Sequence, residues 1–219
     1  AAYDLKKVGV FQSQEEVDNY VVKDGNKIMP NAVPGDLKFE DFNEDGKIDA
    51  NDRQYLGSMD PLFTINLGNT LSYKNFSLYF NFRWMQGNDT HFLGYNPHAY
   101  SIGSGAQLDA VDPWTPTNHT NDYPRYGYNN SLNYQYWSPR SFLKLKDLVF
   151  SYNFDQKLIK PYGIEGLRLY VSGTDLFTIT GWTGLDPEDG GTIAGGPTSS
   201  SMGSKGTYRT FTAGINLTF

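Results

Sequence analysis

At 219 residues the chain is long enough for one β-domain or two small ones, and 16 Tyr, 14 Phe and 23 Gly make it rich in both aromatic residues and glycine. A net charge of −6 argues against nucleic acid as a partner, and the absence of cysteine removes any disulfide framework. Mean hydropathy is −0.53, and no run approaches the roughly 18 apolar residues of a membrane helix; this excludes helical spans only, because a membrane β-strand alternates and escapes such a test.

The opening "AAYDLKKVGVF" lacks the apolar segment of a signal peptide, so an exported protein beginning this way is expected to have lost its N-terminus or to be a piece of something longer. The first motif in chain order is "DFNEDGKIDAND", 41–52. Calcium wants six to eight oxygens, and a twelve-residue loop supplies them at positions 1, 3, 5, 7, 9 and 12. Those positions are Asp41, Asn43, Asp45, Lys47 (through its backbone carbonyl), Asp49 and Asp52. Gly46 stands where the chain must turn sharply, and Ile48 can pack the loop onto its support. Asp52 departs from the usual glutamate, and its shorter carboxylate reaches an ion only if the loop closes more tightly. An Asx-rich turn would use the same residue types. Pro34 and Gly35 before the loop, and Gly57 and Pro61 after it, leave no room for a helix–loop–helix sensor, so a bound ion would be structural.

Strict alternation follows. The spacing predicts strands over 62–73, 76–86, 142–154, 166–179 and 207–219. Phe63, Ile65, Leu67, Leu71 and Tyr73 share one face of the first, and Phe76, Leu78, Phe80, Phe82 and Trp84 one face of the second. Lys74-Asn75 joins the two as a hairpin turn. Leu148, Phe150, Tyr152 and Phe154 continue the pattern; the next strand loses phase near Gly173, where a bulge is expected. The last strand runs Phe211, Ala213, Ile215, Leu217, Phe219 on one side. Turns at 74–75 and 155–165 are short, whereas 87–141 and 180–206 are long and rich in Gly, Pro, Ser, Asn and Trp. Short turns on one side and long loops on the other mark an outer-membrane barrel. Counted back from the end of the last strand, residues 1–61 form an extracellular loop carrying the calcium-type loop 41–52, and 62–219 hold the last five membrane strands. A soluble β-sandwich also alternates. Aromatics near strand ends, such as Tyr73, Phe76 and Trp84, and a loop of some fifty residues favour the barrel.

Several segments in order resemble the SusC/RagA family of TonB-dependent outer-membrane importers. They are "PGDLKFEDFNEDGKIDANDRQYLG", "WTPTN" with "YPR", "SFLKLKDLVFSYNF", "LRLYVSGTDLFTITGWTGLDPE" and a terminal strand ending on Phe219. Thr174-Asp175 departs from the Gln-Asn common there. The resemblance covers nearly the whole chain and implies the C-terminal five antiparallel strands of a large, 22-stranded all-β transmembrane barrel. The partners it implies are the remaining N-terminal part of the importer with its plug, a SusD-like lipoprotein lid, TonB acting through that N-terminal part, outer-membrane lipid, and a glycan or peptide substrate. Five strands alone would leave two unpaired edges in lipid.

No catalytic constellation emerges, and the chain reads as no enzyme. His91, His98 and His119 lack metal spacing. "DPEDGG", 186–191, reads as a solvated turn or a second cation site, and Asp186 and Glu188 are the only carboxylate pair that a glycan-cleaving enzyme could use. Ser-rich 195–204 has no accompanying base. Trp114, Trp137 and Trp182 and the tyrosines of 123–136 read as loop packing, with sugar stacking or lid contact as alternatives. Besides the importer, a soluble calcium-stabilised carbohydrate-binding module accounts for the loop and the aromatics.

Overall fold

The computed structural model describes residues 1–95, 112–182, 186–188 and 208–219. Strands β1 (Ala2–Asp4), β2 (Lys7–Val10), β3 (Leu37–Phe39) and β4 (Gln54–Gly57) form two small antiparallel pairs, β1 with β4 and β2 with β3. β5 (Phe63–Tyr73) and β6 (Phe76–Gln86) form the expected hairpin, and β7 (Leu93–Tyr95) pairs with β8 (Trp137–Pro139). β9 (Phe142–Asn153), β10 (Gly166–Thr180) and β11 (Thr210–Thr218) complete a five-stranded antiparallel sheet in the order β11-β10-β9-β6-β5. All five long strands fall within three residues of the bounds that alternation predicts.

The register puts the alternating side chains of neighbouring strands on common faces. One face is apolar apart from Asn69, opposite Phe80, and Gln86 at a strand end: Phe80 pairs with Leu148, Leu78 with Phe150, Val171 with Phe150, and Leu169 with Ile215. The other face is polar: Ser77 and Tyr170 flank Ser151, and Asn81 and Thr174 flank Asp147. Among the described residues little covers the apolar face. Ile65, Leu67, Leu71, Val171, Ile179, Phe211 and Ile215 are between 46% and 75% exposed.

Leu148 and Leu145 are an odd number of residues apart, so an unbroken strand would turn them to opposite faces. The ladder shifts there, leaving Lys146 unpaired between Leu145 and Asp147 opposite β6, and this extra residue restores Leu145 and Leu143 to the apolar side against Phe82 and Trp84. β10 shifts at the same level, where Asp175 and Leu176 stand between the paired Thr174 and Phe177. The phase loss expected near Gly173 therefore lies two residues further on. Asp175 takes a left-handed backbone, φ 50°, which aspartate tolerates better than most residues.

The buried core lies away from the sheet. Leu5, Val10, Leu37 and Phe39 pack with Trp114, Tyr134 and Tyr136, joining segment 1–61 to the long connection between β6 and β9. That connection, read from sequence as structureless, carries β7, β8 and three of the seven buried residues of this core. Gly35, at φ 88°, lets its backbone lie against the Trp114 ring; a Cβ there would come within 2.5 Å of it. Arg125 donates its backbone N–H to Gly35 O at 2.7 Å and its Nε to Asp36 Oδ1 at 2.8 Å. Ser58 N–H donates to Thr90 O at 2.8 Å and Leu93 N–H to Ser58 O at 2.9 Å, which ties this module to the β6 end of the sheet.

Candidate functional site

Two clusters of charge stand out: the acidic loop 41–52, and a network on the polar face of the sheet. In the acidic loop, Gly46 makes the sharp turn at φ 86°, and Ile48 packs against the hydrophobic core. The side chains wind the loop around themselves. Asp41 accepts from the backbone N–H of Asp45 (3.2 Å) and Gly46 (2.8 Å), Asn43 Oδ1 from Asp45 N–H (3.1 Å), and Asp45 Oδ1 from Lys47 N–H (3.2 Å). Asp49 caps a single 3₁₀ turn, accepting from Asn51 N–H at 2.8 Å.

Asp52 is fully buried and works from beneath. Its two oxygens accept from Phe42 N–H (3.0 Å) and Asp49 N–H (2.7 Å), closing a capping box. Lys47 contributes more than the carbonyl expected of it. Its ammonium lies 2.5 Å from Asp49 and 3.6 Å from Asp45, and the hydrogen bond to Asp49, with the charges of Asp45 and Asp49 behind it, holds it above the ordinary lysine range. The same ammonium, with the Asn51 N–H, holds Asp49 below the usual carboxylate range.

Asp41, Asn43, Asp45 and Asp49 are thus brought together on one loop, while Asp52 is turned to the backbone. An all-oxygen donor set of this charge fits a hard cation such as calcium. Among the described residues no three His, Asp or Glu side chains converge closely enough to hold a metal as they stand, so binding would require the Lys47 ammonium to leave the space between Asp45 and Asp49.

Of the second cluster only the acids Asp186 and Glu188 were singled out from the sequence, and its cations were not. Lys144, 1% exposed, donates to both oxygens of Asp186 (2.9 and 2.8 Å) and to Glu188 Oε2 (3.2 Å). Lys146, displaced by the bulge, lies 3.0 Å from Glu188 and 3.1 Å from Asp175, and Arg83 lies 2.7 Å from Glu188 Oε1. Burial alone would raise the Glu188 carboxyl, but the bonds and charges of Lys146 and Lys144 together outweigh it and hold the group below its usual range. "DPE" is therefore neither a solvated turn nor two carboxylates facing across a cleft: both acids share one buried ammonium. The sequence signal was present in two lysines set into an otherwise apolar-alternating strand, which demand partners on the polar face.

The remaining sequence candidates resolve into packing. Trp114 is buried and donates to Gln12 Oε1 at 3.0 Å, Trp137 donates to Asp4 Oδ2 at 3.2 Å, and Trp182, Tyr134 and Tyr136 are buried. His91 is bonded locally to Asn88 and Thr90, and His119 to Pro116 O. His98 and the Ser-rich segment 195–204 lie outside the described residues.

No family model matches the chain. Two curated proteins of Formosa agariphila do: TonB-dependent receptor P3, 34% identical over 99% of this chain, and TonB-dependent receptor P26, 33% identical over 98%. The chain spans 22% of the length of each. Among solved structures, the RagAB peptide importer in its open-open state superposes with a TM-score of 0.67 at 22% identity over 100% of this chain and 22% of that one. Its closed-closed state gives 0.63 at 24% identity, over 100% of this chain and 23% of that one. Sheet order, register and these likenesses agree with the five-stranded barrel segment expected from alternation. The chain belongs to the TonB-dependent receptors, as the motifs resembling the SusC/RagA family implied, and represents a segment about a fifth as long as its relatives.

Proposed function

We propose that this chain forms the last five membrane strands of an outer-membrane importer that takes up glycans or peptides together with a SusD-like lipoprotein lid, energised by TonB through the plug-bearing N-terminal part. The observation that carries the reading is the bare apolar face. A water-soluble sheet buries such a face on a core, whereas here Leu67, Val171 and Ile215 are all at least half exposed and the core lies elsewhere. The same observation weighs against a soluble carbohydrate-binding module. On this reading the apolar face meets outer-membrane lipid, the polar face lines the lumen, and segment 1–61 with the β6–β9 connection stands outside the cell. The edges β5 and β11 then pair with other strands of the barrel.

The acidic loop belongs to that external module. Calcium held by Asp41, Asn43, Asp45, the Lys47 carbonyl and Asp49, with Asp52 closing the loop from behind, would stiffen the surface on which a lid docks or hinges.

Intact-mass analysis of everything that co-purifies with this chain in detergent tests the reading. A larger species carrying the remaining strands, together with a lipoprotein, is expected. Recovery of the chain as a soluble monomer without detergent would overturn it.

A further inference from the structure

Arg83, Lys144 and Lys146 converge at one level of the polar face, where β9 and β10 both bulge. The strands themselves offer two carboxylates there. Asp147 accepts from Asn81 Nδ2 at 3.1 Å, and Asp175 lies 3.1 Å from Lys146 and 4.0 Å from Lys144. The balance comes from outside the strands, from Asp186 and Glu188, which between them touch all three cations. The wall alone is a cationic cradle, and the segment Asp186–Pro187–Glu188 is an acidic peptide seated in it.

We propose that Arg83, Lys144 and Lys146 form an anion site on the inner wall, occupied in cis by Asp186 and Glu188, which exchanges this segment for a cargo peptide bearing two closely spaced carboxylates. The inference rests on the importer reading, because only there does this face line a lumen. Vacating the cradle would strip Lys144, 1% exposed with the segment seated, of both carboxylates that bond it and leave it only Asp175 at 4.0 Å, a state penalised unless another anion enters. A neutral ligand therefore cannot take the place of the segment, and a dianionic one can. Exchange has a point of entry: the side chains of Glu188, Lys146 and Arg83 keep 18%, 28% and 35% of their exposure, so the outer pairs yield before Lys144–Asp186. Residues 186–188 lie in no strand, so no ladder is broken when they move.

The test uses the complete importer containing this chain, purified in detergent, with hydrogen exchange followed at the Glu188 amide, which donates to Asp186 Oδ1 at 2.8 Å. Acetyl-Asp-Pro-Glu-amide at millimolar concentration is expected to speed that exchange by about tenfold or more, while acetyl-Asn-Pro-Gln-amide leaves it unchanged. Arg83→Gln and Lys146→Gln, which keep the buried Lys144–Asp186 pair, should each raise the peptide concentration required by about tenfold. Exchange unmoved by the acidic peptide, or moved equally by the neutral one, overturns the proposal and leaves the segment a permanent tether. Exchange moved by an oligouronate but not by the acidic peptide overturns the assignment to peptide cargo. Heat-modifiable migration of the same samples reports the barrel independently, so its failure and that of the exchange site can be told apart.

Discussion

Lys144 shows how one residue's environment fixes its cost. Removing it by Lys144→Met leaves Asp186 and Glu188 facing Arg83 and Lys146 alone and is expected to destabilise the chain by about 3–5 kcal/mol, the range for breaking a buried pair by deleting one partner. Replacing both members, Lys144→Met with Asp186→Leu, should recover most of that, read by denaturant unfolding of the detergent-solubilised importer. Gly57 poses a steric constraint of a different kind: at φ 153°, a Cβ would lie 2.2 Å from Thr90 O. Gly57→Ala is expected to cost about 1–3 kcal/mol by forcing the β4 end away from that loop, measurable in the same unfolding experiment. In the acidic loop, Asp41→Ala with Asp45→Ala removes the carboxylates that accept from Asp45, Gly46 and Lys47 N–H groups. Proteolysis within 41–52 should rise while the barrel stays inserted, and a chelator should reproduce the effect on the native protein. If chelation leaves loop proteolysis unchanged and no calcium is detected by elemental analysis, the calcium proposal fails.

The strands and the segment 186–188 divide the work by face. On β5, Leu67→Arg places a charge on the apolar side and should cost about 2–4 kcal/mol near the bilayer midplane, whereas Thr70→Arg on the polar side, opposite Tyr79, should be tolerated; the fraction of heat-modifiable protein in outer membranes distinguishes them. For the segment, linkage sets the sign. The Glu188 carboxyl is held below its usual range in the folded chain by Lys146 and Lys144 acting against burial, with Arg83 from β6 and Asp175 from β10 facing the same cluster and Asp186 beside it. Its contribution is complete above the unfolded carboxylate value, about 4.3, and is lost as pH falls through the lower folded value. Exchange at the Glu188 amide should therefore be flat from neutral pH down to about 4, once corrected for intrinsic rates, and accelerate below it.

At the scale of the whole molecule the architecture separates a buried core from a largely bare apolar sheet face. Leu5, Val10, Leu37, Phe39, Trp114, Tyr134 and Tyr136 bury one another in the module built from segment 1–61 and the β6–β9 connection, while Leu67, Val171 and Ile215 on the apolar face of the long strands stay more than half exposed. Such a chain should be insoluble or aggregated when expressed alone in water and should pair with the remaining strands when they are supplied. The module is held to the sheet through Ser58, Thr90 and Leu93, close to the mouth of the proposed barrel.

Period-two alternation was legible residue by residue, so Phe63–Tyr73, Phe76–Gln86, Phe142–Asn153 and Gly166–Thr180 were placed to within a residue by sequence alone, and Thr210–Thr218 to within three. Each alternating side chain reports its own face, and that information is local. The acidic loop was legible for the same reason, since its oxygens come from one contiguous stretch. The bulge at Lys146, the inward seat of Asp186–Pro187–Glu188 and the core formed between 1–61 and Trp114, Tyr134 and Tyr136 were decided only in three dimensions. They join residues some 40 to 130 positions apart, and whether a lysine is solvated or buried against a distant carboxylate depends on which strands are neighbours, which no local pattern encodes.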